Sequence, residues 1–531
     1  MVVQNGIITA VGKRGKLPPD AQVIDGGGKY VVPGWVDAHV HFSQSGGLYT
    51  RPDAIDLRAY KPHSQEIDWT HRNMEDLLRR YLKAGITTVV DVGATTAFLQ
   101  QRDTFRQKPY APAVYMTGPL LTTWEPDVYK NLKGDEPFWE MKTPEDARRY
   151  VQQQIPYHPD FIKIWYILLG QNKDSAARAS LPLVQAAIDE AHKAGLRVAV
   201  HATERITAQL SVEAGADFLV HDVEDEPVTD AFVALLKKKK TVMSPTLVVA
   251  GNYDKVFGQT YRITESDLHY AHPTPLNSVL DLATHPDTAL SRTYRAYINQ
   301  YGARTKRDDS IRQVNVKKLL DGSVTLAVGT DAGNIGTQHV SSYWDELKAM
   351  QQSGLNLWQL LQAATVNGAK AVGKEAEFGA VKKGQRADLL LLNKNPLDSL
   401  ANWHDINLVI NKGVALQPDS IVQSTPETLV AQQLAAYNAH NLEAFLEPYA
   451  DDVAIYDFPA QLLWSGKEEM RKNYQFLRKM PDLHCRLLNR MVQGNTVVDH
   501  EEVRGFGDKP IYGVVVYQIK NGKIASVHFS Q

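Results

Sequence analysis

A single cysteine, Cys485, occurs in 531 residues, so the chain can build neither an internal disulfide nor a thiolate zinc site. Its setting, His484-Cys485-Arg486, has no nucleophile signature, and a small buried apolar side chain is the simpler role. No run approaches about 18 consecutive apolar residues, which excludes a membrane-spanning helix. Charge of one sign is lacking too. Lys plus Arg number 58 against 60 Asp plus Glu, and no basic block is long enough to follow a phosphate backbone, which argues against nucleic acid as a partner. With 43% hydrophobic and 22% charged residues, the chain is neither disordered nor fibrous. The compartment stays open between cytoplasmic and exported. Met1 to Ile8 reads as half of a hairpin around Asn5-Gly6 with no strand before it, as though further residues, a signal peptide among them, preceded it.

What is present is an alternation. Eight short apolar runs, separated by amphipathic helical stretches, begin at Tyr30, Gly85, Ala113, Asp160, Leu196, Ala216, Thr241 and Ser323. This rhythm and count predict an α/β fold built on a (β/α)8 TIM barrel, whose chemistry lies where the strands end. Gly85, Gly195 and Gly215 each stand between a helix and a strand, and Lys237 to Lys240 close a helix. Residues 251–322, between the seventh and eighth runs, are far longer than a usual loop and rich in Tyr and Arg (Tyr261, Arg262, Tyr270, Tyr294, Arg295, Tyr297, Tyr301, Arg304). A helical lid over the strand ends is expected there, with a surface excursion as the alternative. Strand-like segments at both ends of the barrel predict a small split β-sandwich from residues 1–34 and 376–424, flanking a barrel of 35–375. From Thr425 the pattern changes to helix, strand, helix and four strands, a separate α+β domain of 425–531.

His39 and His41 are two apart in the first strand, so both side chains leave one face and can grip one ion. With 17 histidines, chance alone gives roughly half of one such pair, so the motif is weak by itself. Position strengthens it, because Lys163, His201, His221 and Asp331 recur at the ends of the fourth, fifth, sixth and eighth strands. Lys163 stands within Phe161-Ile162-Lys163-Ile164-Trp165, too apolar for an ammonium ion unless something pairs or neutralises it. A neutral lysine beside divalent ions can add carbon dioxide and become a carbamate; a snorkelling or ion-paired lysine is the alternative.

These segments, with Val32-Pro33-Gly34-Trp35-Val36-Asp37-Ala38-His39-Val40-His41, Val328-Gly329-Thr330-Asp331-Ala332-Gly333 and Gly384-Gln385-Arg386-Ala387-Asp388, resemble the amidohydrolase superfamily over about residues 2–420. The nearest branch is the prolidase-like one. The resemblance implies a binuclear metal-dependent hydrolase of an amide-type C–N bond in a small-molecule substrate, a dipeptide or other acylated amine. His39, His41 and Asp331 would hold one divalent ion, His201 and His221 a second, and carboxylated Lys163 and a hydroxide would bridge them. Asp331 would shuttle the proton. Zinc is expected from the His and carboxylate donors, with Mn, Co or Fe as alternatives. Two other readings stand beside it: a mononuclear deaminase or cyclic-amide hydrolase of the same superfamily, and a C-terminal isomerase or apolar-ligand binder with the barrel as scaffold. Where relatives often have glycines after the strand-four lysine, this chain has Trp165-Tyr166-Ile167-Leu168-Leu169, which suggests an apolar pocket. Tyr166, Arg51, His63 and His339 are the candidate substrate-binding residues, with Tyr49 and Arg58 nearby.

Tyr437-Asn438-Ala439-His440-Asn441-Leu442-Glu443-Ala444-Phe445 with Tyr449-Ala450-Asp451-Asp452 resembles the SnoaL-like, ketosteroid-isomerase-type cone. This implies a module for homo-oligomerisation or pocket shaping, and a cavity for an apolar ligand that Tyr456, Asp457, His484 and His500 are expected to line.

Overall fold

The computed structural model describes residues 1–12 and 21–530, and the side chains of all of these except 301–305, so Tyr301 and Arg304 lie outside the described side chains. The chain divides into two compact units, residues 1–45, 49–252 and 300–422 in one and 46–48, 253–299 and 423–531 in the other.

The first unit carries a TIM-barrel-like arrangement. The eight barrel strands are Trp35–Val40, Ile86–Asp91, Ala113–Met116, Phe161–Trp165, Arg197–His201, Phe218–Val220, Val242–Ser244 and Thr325–Leu326. Those from the fourth to the eighth pair in parallel in sequence order, as do the first three. The circle closes through backbone hydrogen bonds from Ala38 N–H to the Val328 carbonyl and from Asp160 N–H to the Met116 carbonyl, at 2.8 and 2.9 Å. The third apolar run, expected as one strand from Ala113 to Leu121, is broken at Thr117-Gly118-Pro119. Its second half, Leu120–Thr122, pairs instead with the fourth strand and with a strand the sequence does not announce, Phe138–Glu140. A proline cannot donate to a ladder, so the change of partner falls there.

Between barrel strands the helices show ordinary amphipathic logic. His63–Lys83 buries Met74, Leu77, Leu78 and Tyr81 on one face, with Glu66 in its first turn and Arg80 and Lys83 in its last. Gly215 ends the helix Arg205–Ala214 at φ 110°, a left-handed geometry that a side chain would strain. Among the described residues no helix is long and apolar enough to cross a membrane.

A small sheet is assembled from both ends of the barrel segment, in the order Val414–Leu416, Ile406–Asn411, Leu389–Leu392, Tyr30–Pro33. The first residues form a complete hairpin rather than half of one: Val2–Gln4 pairs with Ile7–Ala10 around Asn5-Gly6. Ile8 packs with Leu389, Leu391, Leu408 and Ile410.

The second unit is built on a six-stranded sheet in the order Gln461–Ser465, Tyr449–Asp457, Lys523–Ser530, Ile511–Lys520, Thr496–Arg504, His484–Gln493. The helix Pro426–Asn438, opened by a Thr425–Thr428 capping box, packs on it. The single helix expected from Pro426 to Tyr449 is two, separated at Ala439-His440-Asn441, because His440 adopts φ 55° and Asn441 caps Leu442–Leu446. The insertion divides: residues 253–299 belong to this unit, where Pro273–Ser278 lies against Pro426–Asn438 and Asn277 donates to the Ala431 carbonyl at 3.0 Å, whereas 300–322 belong to the barrel unit.

One carboxyl of this unit makes its stability depend on pH. Burial, reinforced by neighbouring Asp499, pushes Glu501 from the usual 4.5 up to about 7, against the opposing hydrogen bonds of Tyr517 and Cys485 and the charge of Arg490. The folded state therefore holds this proton more tightly than the unfolded chain. Stability is greatest below the unfolded pKa and falls as pH rises from about 4.5 through about 7. Thermal denaturation across that window should show this decline in the wild type and a flatter profile in Glu501→Gln; equal slopes would count against it.

Candidate active site

Four of the expected ligands come from three of the barrel strands. His39 is in the first strand and His41 just past it, Lys163 is in the fourth, and His201 ends the fifth. His221 and Asp331 follow the sixth and eighth strands in backbone geometries unusual for residues with side chains, φ 75° and 60°. Such geometry persists only where the surroundings enforce it. Asp331 Oδ1 lies 3.0 Å from His39 Nε2 and 2.9 Å from His41 Nε2, the two ring nitrogens lie 3.3 Å apart, and all three groups are buried. Beside them the His221 ring is 4.9 Å from His39 and 4.3 Å from His201, centre to centre, and His221 Nδ1 lies 4.0 Å from Asp331 Oδ2. Lys163 is 1% exposed.

Several neighbours fix these rings. His41 Nδ1 donates to the Gly93 carbonyl at 3.1 Å, which fixes the ring with Nε2 turned toward Asp331. A Cβ on Gly93 would sit 2.6 Å from the His41 ring, so only glycine admits this approach. Thr246, itself at φ 48°, bonds His221 Nδ1 at 2.7 Å. Asp91 accepts from the Phe42 and Gly93 N–H groups and holds the His41 turn against the second strand. Asp37 accepts from Thr330 Oγ1 and from the His39 N–H, joining the first strand to the segment bearing Asp331. Glu346 accepts from the N–H groups of Leu247 and Val248. Sequence reasoning did not assign these bracing roles. Asp37 and Asp91 satisfied the same rule that found the ligands, a polar residue in or at the end of an otherwise apolar strand; Glu346, inside a helix, gave no such signal.

The electrostatics favour neutral nitrogen donors around one anion. Burial lowers His39 to about 4 and takes His201 and His221 well below the usual imidazole range. Burial likewise brings Lys163 down to about 7, although Asp331 and Asp91 pull it upward. Asp331 is held well below the ordinary carboxylate range, because the adjoining His39 and His41 outweigh its own burial. Lone pairs and a carboxylate converging in a buried space need a cation among them, and His39, His41 and Asp331 offer ligand atoms within 4.8 Å of one another. The residues fit a divalent metal ion.

The substrate candidates are placed differently. Tyr166 is wholly buried and its hydroxyl donates to the Ala177 carbonyl; the preceding Trp165 faces the cluster, its ring 5.9 Å from His201 and stacked on Phe138. His339 has both ring nitrogens engaged, by the Tyr81 hydroxyl and the Gln44 carbonyl, and stacks on Phe42, so it braces the loop after His41. Arg51 is paired with Asp53 and also bonds Asn334, three residues beyond Asp331. His63 lines a small cleft with Ser43, Gln44, Tyr129 and Asp135. Arg58 pairs with Asp56 at the surface, and the Tyr49 ring receives Lys61.

Residues 30–416 match the model of the amidohydrolase family. The chain belongs to that family. Residues 430–527 match the SnoaL-like domain. Among solved structures, a putative prolidase from Bifidobacterium longum superposes with a TM-score of 0.56 at 21% identity, covering 81% of this chain and 92% of that one. Molinate hydrolase does so with a TM-score of 0.57 at 18% identity, covering 79% and 90%. At these identities the likeness is one of fold. In sequence, a dihydroorotase of Anaeromyxobacter dehalogenans is 31% identical over 104 residues, 18% of this chain and 24% of that protein. A 5-methylthioadenosine/S-adenosylhomocysteine deaminase of Carboxydothermus hydrogenoformans is 27% identical over 135 residues, 24% of this chain and 31% of that protein. The chain thus aligns with a quarter to a third of the length of these relatives.

Proposed function

We propose that the barrel is a binuclear metal-dependent hydrolase that cleaves an amide-type C–N bond, in a dipeptide or other acylated amine. The observation that carries this reading is the meeting of His39, His41 and Asp331 within hydrogen-bond distance, beside a buried lysine that has no carboxylate partner within ion-pair distance among the described contacts. His39, His41 and Asp331 would hold one ion, His201 and His221 the other, and Lys163, carboxylated by carbon dioxide, would join them. Zinc suits the donor set. Bound divalent ions would supply Lewis acidity toward the scissile carbonyl and lower the pKa of water.

The chain's own residues do the rest. Asp331 takes the proton of the attacking water on a carboxylate oxygen and delivers it to the nitrogen of the departing amine. Thr330 and Asp37 tie the segment bearing Asp331 to the first strand, while Gly93 and Asp91 fix His41. Trp165, Phe138 and Tyr129 form an apolar wall that keeps water from one side of the site and favours an apolar acyl or side chain. The structural likeness to an Xaa-Pro dipeptidase makes dipeptides the first substrates to try.

A panel of Xaa-Pro dipeptides and N-acyl amines, assayed with the full chain before and after chelation, tests this. Hydrolysis should vanish with the metal and return on adding zinc, each turnover releasing one amine and one carboxylate. The local matches to dihydroorotases and deaminases favour a second reading, a mononuclear cyclic-amide hydrolase or deaminase. Ammonia release or ring opening, with one ion per chain, would decide for it.

A further inference from the structure

A groove of about 630 Å³, a volume in the range of small-molecule sites, lies outside the C-terminal cone. Both of its walls belong to the second unit. Ile263, Leu280 and Ala283 come from the insertion rich in Tyr and Arg, and His440, Leu477 and Leu483 from the cone. The interior of the cone is a separate space. Cys485 and Glu501 line that interior, and strand alternation turns His484, one position from Cys485, outward into the groove. The other three residues expected inside lie elsewhere: His500 and Asp457 are exposed, and Tyr456 stacks on His528.

The break at Ala439-His440-Asn441 shapes the cone side of this groove. His440, at φ 55°, donates from Nδ1 to the Leu477 carbonyl at 3.1 Å and ties the two cone segments of the wall together. One cation is uncommitted. Arg262, which is exposed, donates to the Tyr261 carbonyl at 3.0 Å and has no carboxylate within 4.0 Å among the described residues. Arg478, the other arginine of the lining, pairs with Glu443 at 3.1 Å. Asp482 lines the groove too, so a second negative charge on a ligand would be opposed. Burial brings His484 down to about 4, with Arg486 acting in the same direction, so its ring is neutral. His484 Nε2 and Thr284 Oγ1 are both buried with no hydrogen-bond partner. A polar group reaching them would offset their desolvation.

We propose that this groove is a second ligand site, for a small molecule with an apolar body and one carboxylate, the carboxylate held by Arg262 and the body lying along Ile263, Leu280 and Leu483. A guanidinium with free N–H groups recognises a planar carboxylate through two parallel hydrogen bonds. A neutral molecule would leave that fork unpaired, and a cation would be repelled by it. The apolar residues beside Arg262 give the rest of the ligand a surface to cover. The site is built jointly by the insertion and the cone, and the proposal does not depend on the reading of the barrel.

Calorimetric titration of the full chain at pH 7 with 4-phenylbutyrate, 4-phenyl-1-butanol and 4-phenylbutylamine tests it. The anion should bind at least about ten-fold more tightly than either of the others. Arg262→Gln should weaken 4-phenylbutyrate by about ten-fold or more and change 4-phenyl-1-butanol by less than about three-fold. Ala283→Trp fills the groove and should weaken 4-phenylbutyrate by about ten-fold or more, which separates this site from binding in the barrel or inside the cone. Both positions are exposed, so both variants should keep the wild-type melting midpoint. Absence of 4-phenylbutyrate binding, tighter binding of the alcohol or the amine, or an unaltered 4-phenylbutyrate affinity in either variant would overturn the proposal.

Discussion

Replacing Lys163 by alanine is expected to lower hydrolysis by at least about a thousand-fold, with partial recovery in millimolar acetate or propionate. The argument begins with burial. A lysine 1% exposed, its pKa brought down to about 7, presents a free amine to carbon dioxide at neutral pH. The nitrogen lone pair forms the N–C bond, the nitrogen loses a proton, and the product is an anion where the sequence places a cation. Removing the side chain leaves a gap that a short carboxylate can enter, which is the reason for rescue. Stability separates this outcome from simple unfolding. Lys163 is stabilised by no ion pair within 4.0 Å among the described contacts, so the metal-free alanine variant should melt no lower than the metal-free wild type by much more than its lost methylenes require. Full activity in Lys163→Ala would sink the proposed carbamate.

Asp331→Asn is expected to cost as much or more, about a thousand-fold or beyond in kcat/KM, together with the ion at the His39–His41 site. The substitution keeps the shape, and asparagine tolerates φ 60° well, so the backbone should not move. What disappears is the one anion, among the described residues, that lies against both His39 and His41, and with it the group proposed to carry a proton between water and amine. Chemical rescue by carboxylates should be weaker than at Lys163, because no gap is opened. Activity within ten-fold of wild type would show that another group moves the proton.

The grouping of His39, His41 and Asp331 is legible because it obeys two simple rules, strand periodicity and the location of chemistry at strand ends. His39 and His41 share a face through a spacing of two, and Lys163 is conspicuous because its neighbours are apolar. What was not legible depended on through-space choices. Nothing local shows that Pro119 moves a strand from one neighbour to another, or that Ala439-His440-Asn441 breaks a helix whose apolar pattern continues across it. Tyr166 and Trp165 differ by one position, and only the fold decides which ring reaches His201 and which hydroxyl reaches Ala177. The same parity selects Glu501 over His500 in the cone. His339 looked functional because it is a histidine beside Asp331; its two hydrogen bonds, to Tyr81 and Gln44, come from residues more than 250 positions away. The hairpin at Asn5-Gly6 is complete where the sequence shows only half of it, since a partner strand of three residues, Val2–Gln4, is shorter than periodicity can register.

The central claim is that six side chains at the barrel's strand ends hold two divalent ions. Metal content of the full chain, purified without chelator and measured by inductively coupled plasma mass spectrometry beside Asp331→Asn and His201→Ala, tests it most directly. The account predicts two ions per wild-type chain, with each variant losing at least one. A wild-type chain with no tightly bound divalent metal, still hydrolysing its substrate after exhaustive chelation, would contradict it.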